Sequence, residues 1–232
     1  MKYFLSADSR RERKTRTTGF LITTVGQKVI MGVTGVVLSL FVIGHVLGNL
    51  LVFRGRSELN RYSSLLHASA ELLWSVRAIL LTSVLAHVWA AWVLTREAHA
   101  ARPIAYTKKV PQAATWASRT MRWGGLLIAV FVVVHLLHLT TGTIRPVPFS
   151  ETDVYANVVG AFRIPWVAAF YLVAMIPLGL HLFHGVWAAF RSTGVSRPTA
   201  KPLRRRLATM VAVFVWAGFT AIPLGVFAGI VR

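Results

Sequence analysis

Five long stretches of this chain contain no Asp, Glu, Lys or Arg: Val29–Phe53, Ala78–Thr95, Trp123–Ile144, Ile164–Phe190 and Leu207–Val231. No other feature limits the fold so tightly. A helix needs about 20 apolar residues to cross the hydrocarbon core of a bilayer. Four of the stretches reach that length, and Ala78–Thr95 does so once Leu72–Val76 and Arg77 are added to it. The composition agrees, at 55% hydrophobic with a mean hydropathy of +0.60. A soluble domain of this size is not so apolar. The expected fold is an all-α membrane protein of five transmembrane helices. It forms one domain over residues 1–232, of which 1–28 is a basic segment without the apolar centre of a cleaved signal peptide.

The chain carries 26 Lys and Arg against 7 Asp and Glu, a formal net charge of +19. Such an excess suits either nucleic-acid binding or a membrane protein with basic loops, and its location decides. Seven Lys/Arg lie in 1–28, six in 96–122 and six in 191–206, whereas the alternate connections and the tail hold seven in all. By the positive-inside rule the N-terminus and the two rich connections face the cytoplasm, and the C-terminus lies outside. The charge is thereby explained as topology, with no nucleic acid required. The basic face can also dock an acidic partner protein. "RPIAYTKKVPQAATWASR" (102–119) and "RSTGVSRPTAKPLRRR" (191–206) read as cytoplasmic connections. The absence of cysteine excludes disulfides, thiolate-held iron–sulfur clusters and a cysteine nucleophile from this chain.

Six of the eight histidines fall inside the spans: His45, His87, His135, His138, His181 and His184. An ionisable residue in a span points to function, although a neutral buried histidine can also bond a neighbouring helix. The spans contain no carboxylate or lysine to share a proton relay, and metal transport usually recruits Asp, Cys or Met as well. Haem iron fits better, because low-spin b-type haems take two imidazoles from separate helices. Depth, at about 1.5 Å per residue, groups the histidines in two layers. An outer layer takes His45 and His135 from the first and third spans. An inner layer takes His87 and His184 from the second and fourth. The fifth span has no histidine and closes the bundle. Gly44 and Gly48 flank His45 and Gly185 follows His184, small residues that admit either a macrocycle or a neighbouring helix. Pro177 and Pro223 should kink the fourth and fifth spans.

At this point four segments resemble a known family in order and spacing. They are "KVIMGVTGVVLSLFVIGHVLGNL" (28–50), "AHVWAAWVLTREAHAARP" (86–103), "VHLLHLTTG" (134–142) and "HLFHGVWAAFRSTG" (181–194). Together they are similar to the cytochrome b membrane anchor of succinate dehydrogenase and fumarate reductase, of the single-chain, five-helix, two-haem type. The resemblance implies two haems b, the first four spans forming the haem-binding bundle. It implies flavoprotein and iron–sulfur subunits on the cytoplasmic face, with the dicarboxylate chemistry on those partners. It also implies electron transfer to or from a membrane quinone, menaquinone first, and residence in a bacterial cytoplasmic (inner) membrane.

Carried over by position, the resemblance gives His45 and His135 to the outer haem iron, and His87 and His184 to the inner one. Within the doublets it selects His135 after the Val-rich run and His184 before Gly185. His138 and His181 become neighbours that bond propionates, water or backbone. Arg163 resembles a family arginine that meets the outer propionate, and Arg77 is a second candidate that can instead snorkel or pair with Glu71. Lys28, Arg122 and Arg191 serve the inner side in the same sense, or simply anchor helix ends. For the quinone, "RGRSELNRYSSLLHASAE" (54–71) offers Glu58, Arg61, Tyr62, His67 and Glu71, each of which is otherwise a solvated loop residue. Two other readings are a cytochrome b anchor of a hydrogenase or formate dehydrogenase, and a non-redox transporter with histidine ligands.

Overall fold

The structure, a computed structural model, describes residues 19–101, 116–192 and 201–232. Among these there are seven helices and no strand: α1 (Thr24–Asn49), α2 (Arg56–His67), α3 (Ala70–Ala100), α4 (Trp116–His135), α5 (Val154–Phe162), α6 (Pro165–Ser192) and α7 (Lys201–Phe227). Five segments are long and apolar enough to cross a bilayer, and they coincide with the five charge-free stretches: Thr24–Arg54, Ala70–Ala100, Thr120–Thr140, Pro165–Phe190 and Pro202–Phe227. Lipid offers the backbone no hydrogen-bond partner, so each must satisfy its own peptide groups as a helix. The short second stretch lies inside the 31-residue α3, which takes in Arg77 as the sequence required. Pro177 and Pro223 both lie within continuous helices.

Local chemistry sets the helix ends. The Thr23 hydroxyl accepts from Gly26 N at 3.1 Å and opens α1. Ser69 opens α3 by accepting from Leu72 N at 3.2 Å. A 3₁₀ turn, Leu50–Arg54, ends on Gly55 at φ 100°, where only glycine is unstrained, and the chain reverses there into α2. At its far end α4 widens into a π-helical turn, Leu136–Thr140, the kind of local deviation that collects at functional sites.

α2 and α5 were expected as loop and are helices. Both lie at one end of the bundle, here the capped end, and they are built on each other. Asp153 caps α5 by accepting from Ala156 N at 3.1 Å. Its carboxylate also takes the Asn60 amide of α2 at 2.9 Å and lies 3.6 Å from Arg56 Nε. Asn60 returns its own oxygen to Tyr155 N at 3.0 Å, and the Tyr155 hydroxyl donates to the Arg232 carbonyl at 2.7 Å. Asn60, Ala156 and Arg56, in that order, hold the Asp153 carboxyl below its ordinary value. Below this polar layer Val52, Leu59, Val158, Phe162, Val167, Tyr171, Ile222 and Val226 form the larger apolar core. A smaller core of Val46, Leu182, Ala212 and Val215 joins α1, α6 and α7.

Among the described residues α1 packs against α3, α6 and α7, and α6 packs against α1, α4 and α7. α7 therefore does more than close the bundle. Gly218 admits the Val46 side chain, and Trp216 lies 3.4 Å from where a Cβ on Gly179 would stand. At the end away from the cap, Thr24 donates to Glu97 at 3.0 Å, and Arg122 lies 2.9 Å from His99 Nε2. These contacts tie α1 to α3 and α3 to α4.

Candidate functional site

The span histidines meet in two groups. Nearer the cap, His45 of α1 faces His135 of α4, with ring centroids 5.8 Å apart and planes at 81°. Deeper in the bundle His87 of α3 faces His181 of α6, at 6.2 Å and 62°. Among the described residues α1 is not closely packed on α4, nor α3 on α6. Each pair of rings bridges helices that are otherwise apart. Two imidazoles on opposite sides of one metal atom, at about 2 Å each, have centroids roughly 6 Å apart. Both spacings fit that arrangement. His181 Nδ1 is buried without a hydrogen-bond partner among the described residues, so no neighbouring group fixes its tautomer. No group of three or more His, Cys, Asp or Glu gathers among the described residues to hold a bare ion. Donors that come only in facing imidazole pairs suit an iron whose other four positions are already filled by a macrocycle.

The structure separates the members of each doublet. His135 ends α4 and turns to His45, whereas His138, in the π turn, is buried and lies 2.9 Å from the Tyr171 hydroxyl. In α6 it is His181 that faces His87, while the His184 ring meets Trp187 edge-on at 6.4 Å. The sequence reading chose His184 for the inner pair. The two residues are one turn apart on nearly the same face, and depth estimated from the ends of a span does not resolve one turn.

Other side chains hold the pairs in place. Phe41 stacks on His45 at 5.4 Å, Phe219 lies 5.6 Å from it, and Phe131 stacks on His135 at 5.7 Å. The Asn49 amide reaches the His45 carbonyl at 2.7 Å and its Nδ1 at 3.3 Å. The Thr34 hydroxyl lies 3.1 Å from His87 Nδ1, and the Tyr171 hydroxyl lies 3.5 Å from His135 Nδ1. Thr34 and Tyr171 were missed in the sequence. The available signal was that a ligating histidine needs an acceptor for its second nitrogen, and that a tyrosine buried in a span needs a partner for its hydroxyl. Glycines face the deeper pair from two helices. A Cβ on Gly35 would lie 3.4 Å from the His87 ring, and one on Gly125 would lie 3.7 Å from His181. Gly44 and Gly185 border open space, whereas Gly48 is filled by the Tyr62 ring.

The remaining candidates divide in the same way. Tyr62 and Glu58, one turn apart on α2, are half-buried, and Tyr62 reaches α1 within a turn of His45. Arg61, His67 and Glu71 are exposed, and His67 Nδ1 donates to the Ser63 carbonyl of its own helix at 2.8 Å. The structure does not converge these five into one cluster. Arg77 lies over the Trp74 ring at 4.9 Å instead of pairing with Glu71. Arg163 is exposed at the α5–α6 turn, Lys28 is exposed, and Arg122 meets His99. The side chain of Arg191 lies outside the described residues.

Neither a curated protein nor a solved structure matches the chain. A family model described as the succinate dehydrogenase/fumarate reductase transmembrane subunit matches residues 99–221, more than half of the sequence. The match runs through α4, α5, α6 and most of α7, and so includes His135, His138, Tyr171, His181 and His184. With five spans and this match, the chain belongs to the family of multi-pass membrane anchor subunits of succinate dehydrogenase and fumarate reductase.

Proposed function

We propose that this anchor carries two haems b and passes electrons between an iron–sulfur subunit and a membrane quinone. The observation that carries the reading is the two facing imidazole pairs, each on helices that do not pack together. His45 and His135 would hold one iron, and His87 and His181 the other. When bound, the haems supply one-electron transfer across the bilayer. The chain's residues orient the imidazoles: Phe41 and Phe219 pack on the His45 ring and Phe131 on the His135 ring, with His138 and His184 one turn from the facing rings. The charge distribution supports a cytoplasmic N-terminus in a bacterial inner membrane, with the capped end outside. A flavoprotein and an iron–sulfur subunit would dock on the basic cytoplasmic face and perform the dicarboxylate chemistry. Tyr62 and Glu58, near the His45 layer, are the side chains best placed to meet a quinone, with menaquinone as the first candidate.

The test is a reduced-minus-oxidised spectrum with haem quantitation on the purified complex. Two haems per chain, reducible by succinate, are expected. A complex with no b-type α-band would sink the haem reading. Co-purification of a flavin-containing subunit tests the partners independently.

A further inference from the structure

We propose that Thr34 and Tyr171 are positioning residues, each setting the tautomer and donor strength of one imidazole in its layer. The proposal rests on the two-haem reading above. A histidine that ligates through Nε2 carries its proton on Nδ1. The group that accepts from that N–H fixes both tautomer and ring orientation.

Thr34 meets this need because its own proton is already committed. Its hydroxyl donates to the Ile30 carbonyl at 2.7 Å, with the Met31 carbonyl at 3.3 Å. The oxygen therefore faces His87 Nδ1, 3.1 Å away, as an acceptor, beside the Met31 carbonyl, which also accepts from the His87 ring. His87 is left with its lone pair on Nε2. The acceptor comes from α1, the helix that packs directly on α3.

Tyr171 serves the other layer by relay. Its hydroxyl lies 2.9 Å from His138 Nδ1 and 3.5 Å from His135 Nδ1. A phenol has one proton to give, so it donates to one nitrogen and accepts from the other. His135 is the ring that faces His45. The direction is then His135 Nδ1–H to Tyr171 oxygen, and Tyr171 O–H to His138 Nδ1. His138 is the terminal acceptor, which gives the second histidine of the doublet a task other than ligation. Phe162 and Phe131 pack edge-on against the Tyr171 ring at 5.0 and 5.2 Å, on the ring and away from the hydroxyl's two hydrogen bonds.

The experiment is a potentiometric titration of the b-type absorbance, with low-spin EPR, on the intact complex. Wild-type protein without haem would sink the two-haem reading itself, whereas the outcomes below concern only the positioning residues. Thr34→Val should shift the His87 haem alone, and Tyr171→Phe the His135 haem alone. Both shifts should be upward, because an imidazole whose Nδ1–H lacks an acceptor donates less to ferric iron. The expected size is about tenfold in ferric-to-ferrous preference, or about 59 mV for one electron. Thr34→Ser keeps the hydroxyl and should keep the wild-type potential. Phe162→Leu loosens the Tyr171 packing without removing the phenol, and should move neither haem. The proposal is overturned if either target potential stays put, if one variant moves both haems alike, or if Phe162→Leu matches Tyr171→Phe.

Discussion

Two histidines three apart in a helix differ by about 4.5 Å of rise and sit on nearly the same face. Both doublets therefore present a choice that only neighbouring helices resolve. In α6 the ring facing His87 is that of His181, and in α4 the ring facing His45 is that of His135. His181→Ala should leave about half the haem of the wild-type complex, and His184→Ala nearly all of it, read by haem-to-protein ratio. The reverse pattern would return the inner ligand to His184. His135→Ala and His138→Ala should divide in the same sense. The histidine pattern was legible because an apolar run gives imidazoles no ordinary use. Which member of a doublet faces the ring of another helix was not, because the answer lies on a distant segment.

At the scale of elements, the spans were legible and the short helices were not. A charge-free run of this length in lipid has only one backbone solution. α2 and α5 are short, and helices of such length are marginal alone; their stability comes from Asp153, Asn60 and the apolar core beneath them. Asp153 gives a directional prediction. Its folded pKa is lowered, so its contribution is fully present above the ordinary carboxylate value and is lost as pH falls through the lower folded one. Amide-exchange protection over 150–163, taken relative to the intrinsic exchange rate at each pH, should be high at neutral pH and fall in acid, and Asp153→Ala should abolish that acid step. Loss of the cap should cost about 1 kcal/mol at neutral pH. Gly48 marks the contact of α2 with α1, since a Cβ there would overlap the Tyr62 ring. Gly48→Ala should cost about 1–3 kcal/mol by overpacking, and most of that cost should vanish in a Tyr62→Ala background, as a double-mutant cycle on thermal stability reads it.

For the whole molecule, five spans with 19 Lys/Arg on one side and 7 on the other predict termini on opposite faces. Reporter fusions at each end should show an N-terminus inside and a C-terminus outside, and the same side for both would contradict the charge argument. The bundle is also uneven. α6 and α7 are the most deeply packed spans, whereas only 6% of α3's apolar window is buried, and among the described residues α1 is the one span it packs on closely. That asymmetry bears on how the subunit is made. On the two-haem proposal a flat cofactor enters between the spans, and α3 is the wall that yields with least loss of contact. Until His87 is engaged, α3 hangs on α1 like an unlatched door. On the same proposal, engagement of His87 opposite His181 is the step that fastens α3 to the rest of the bundle.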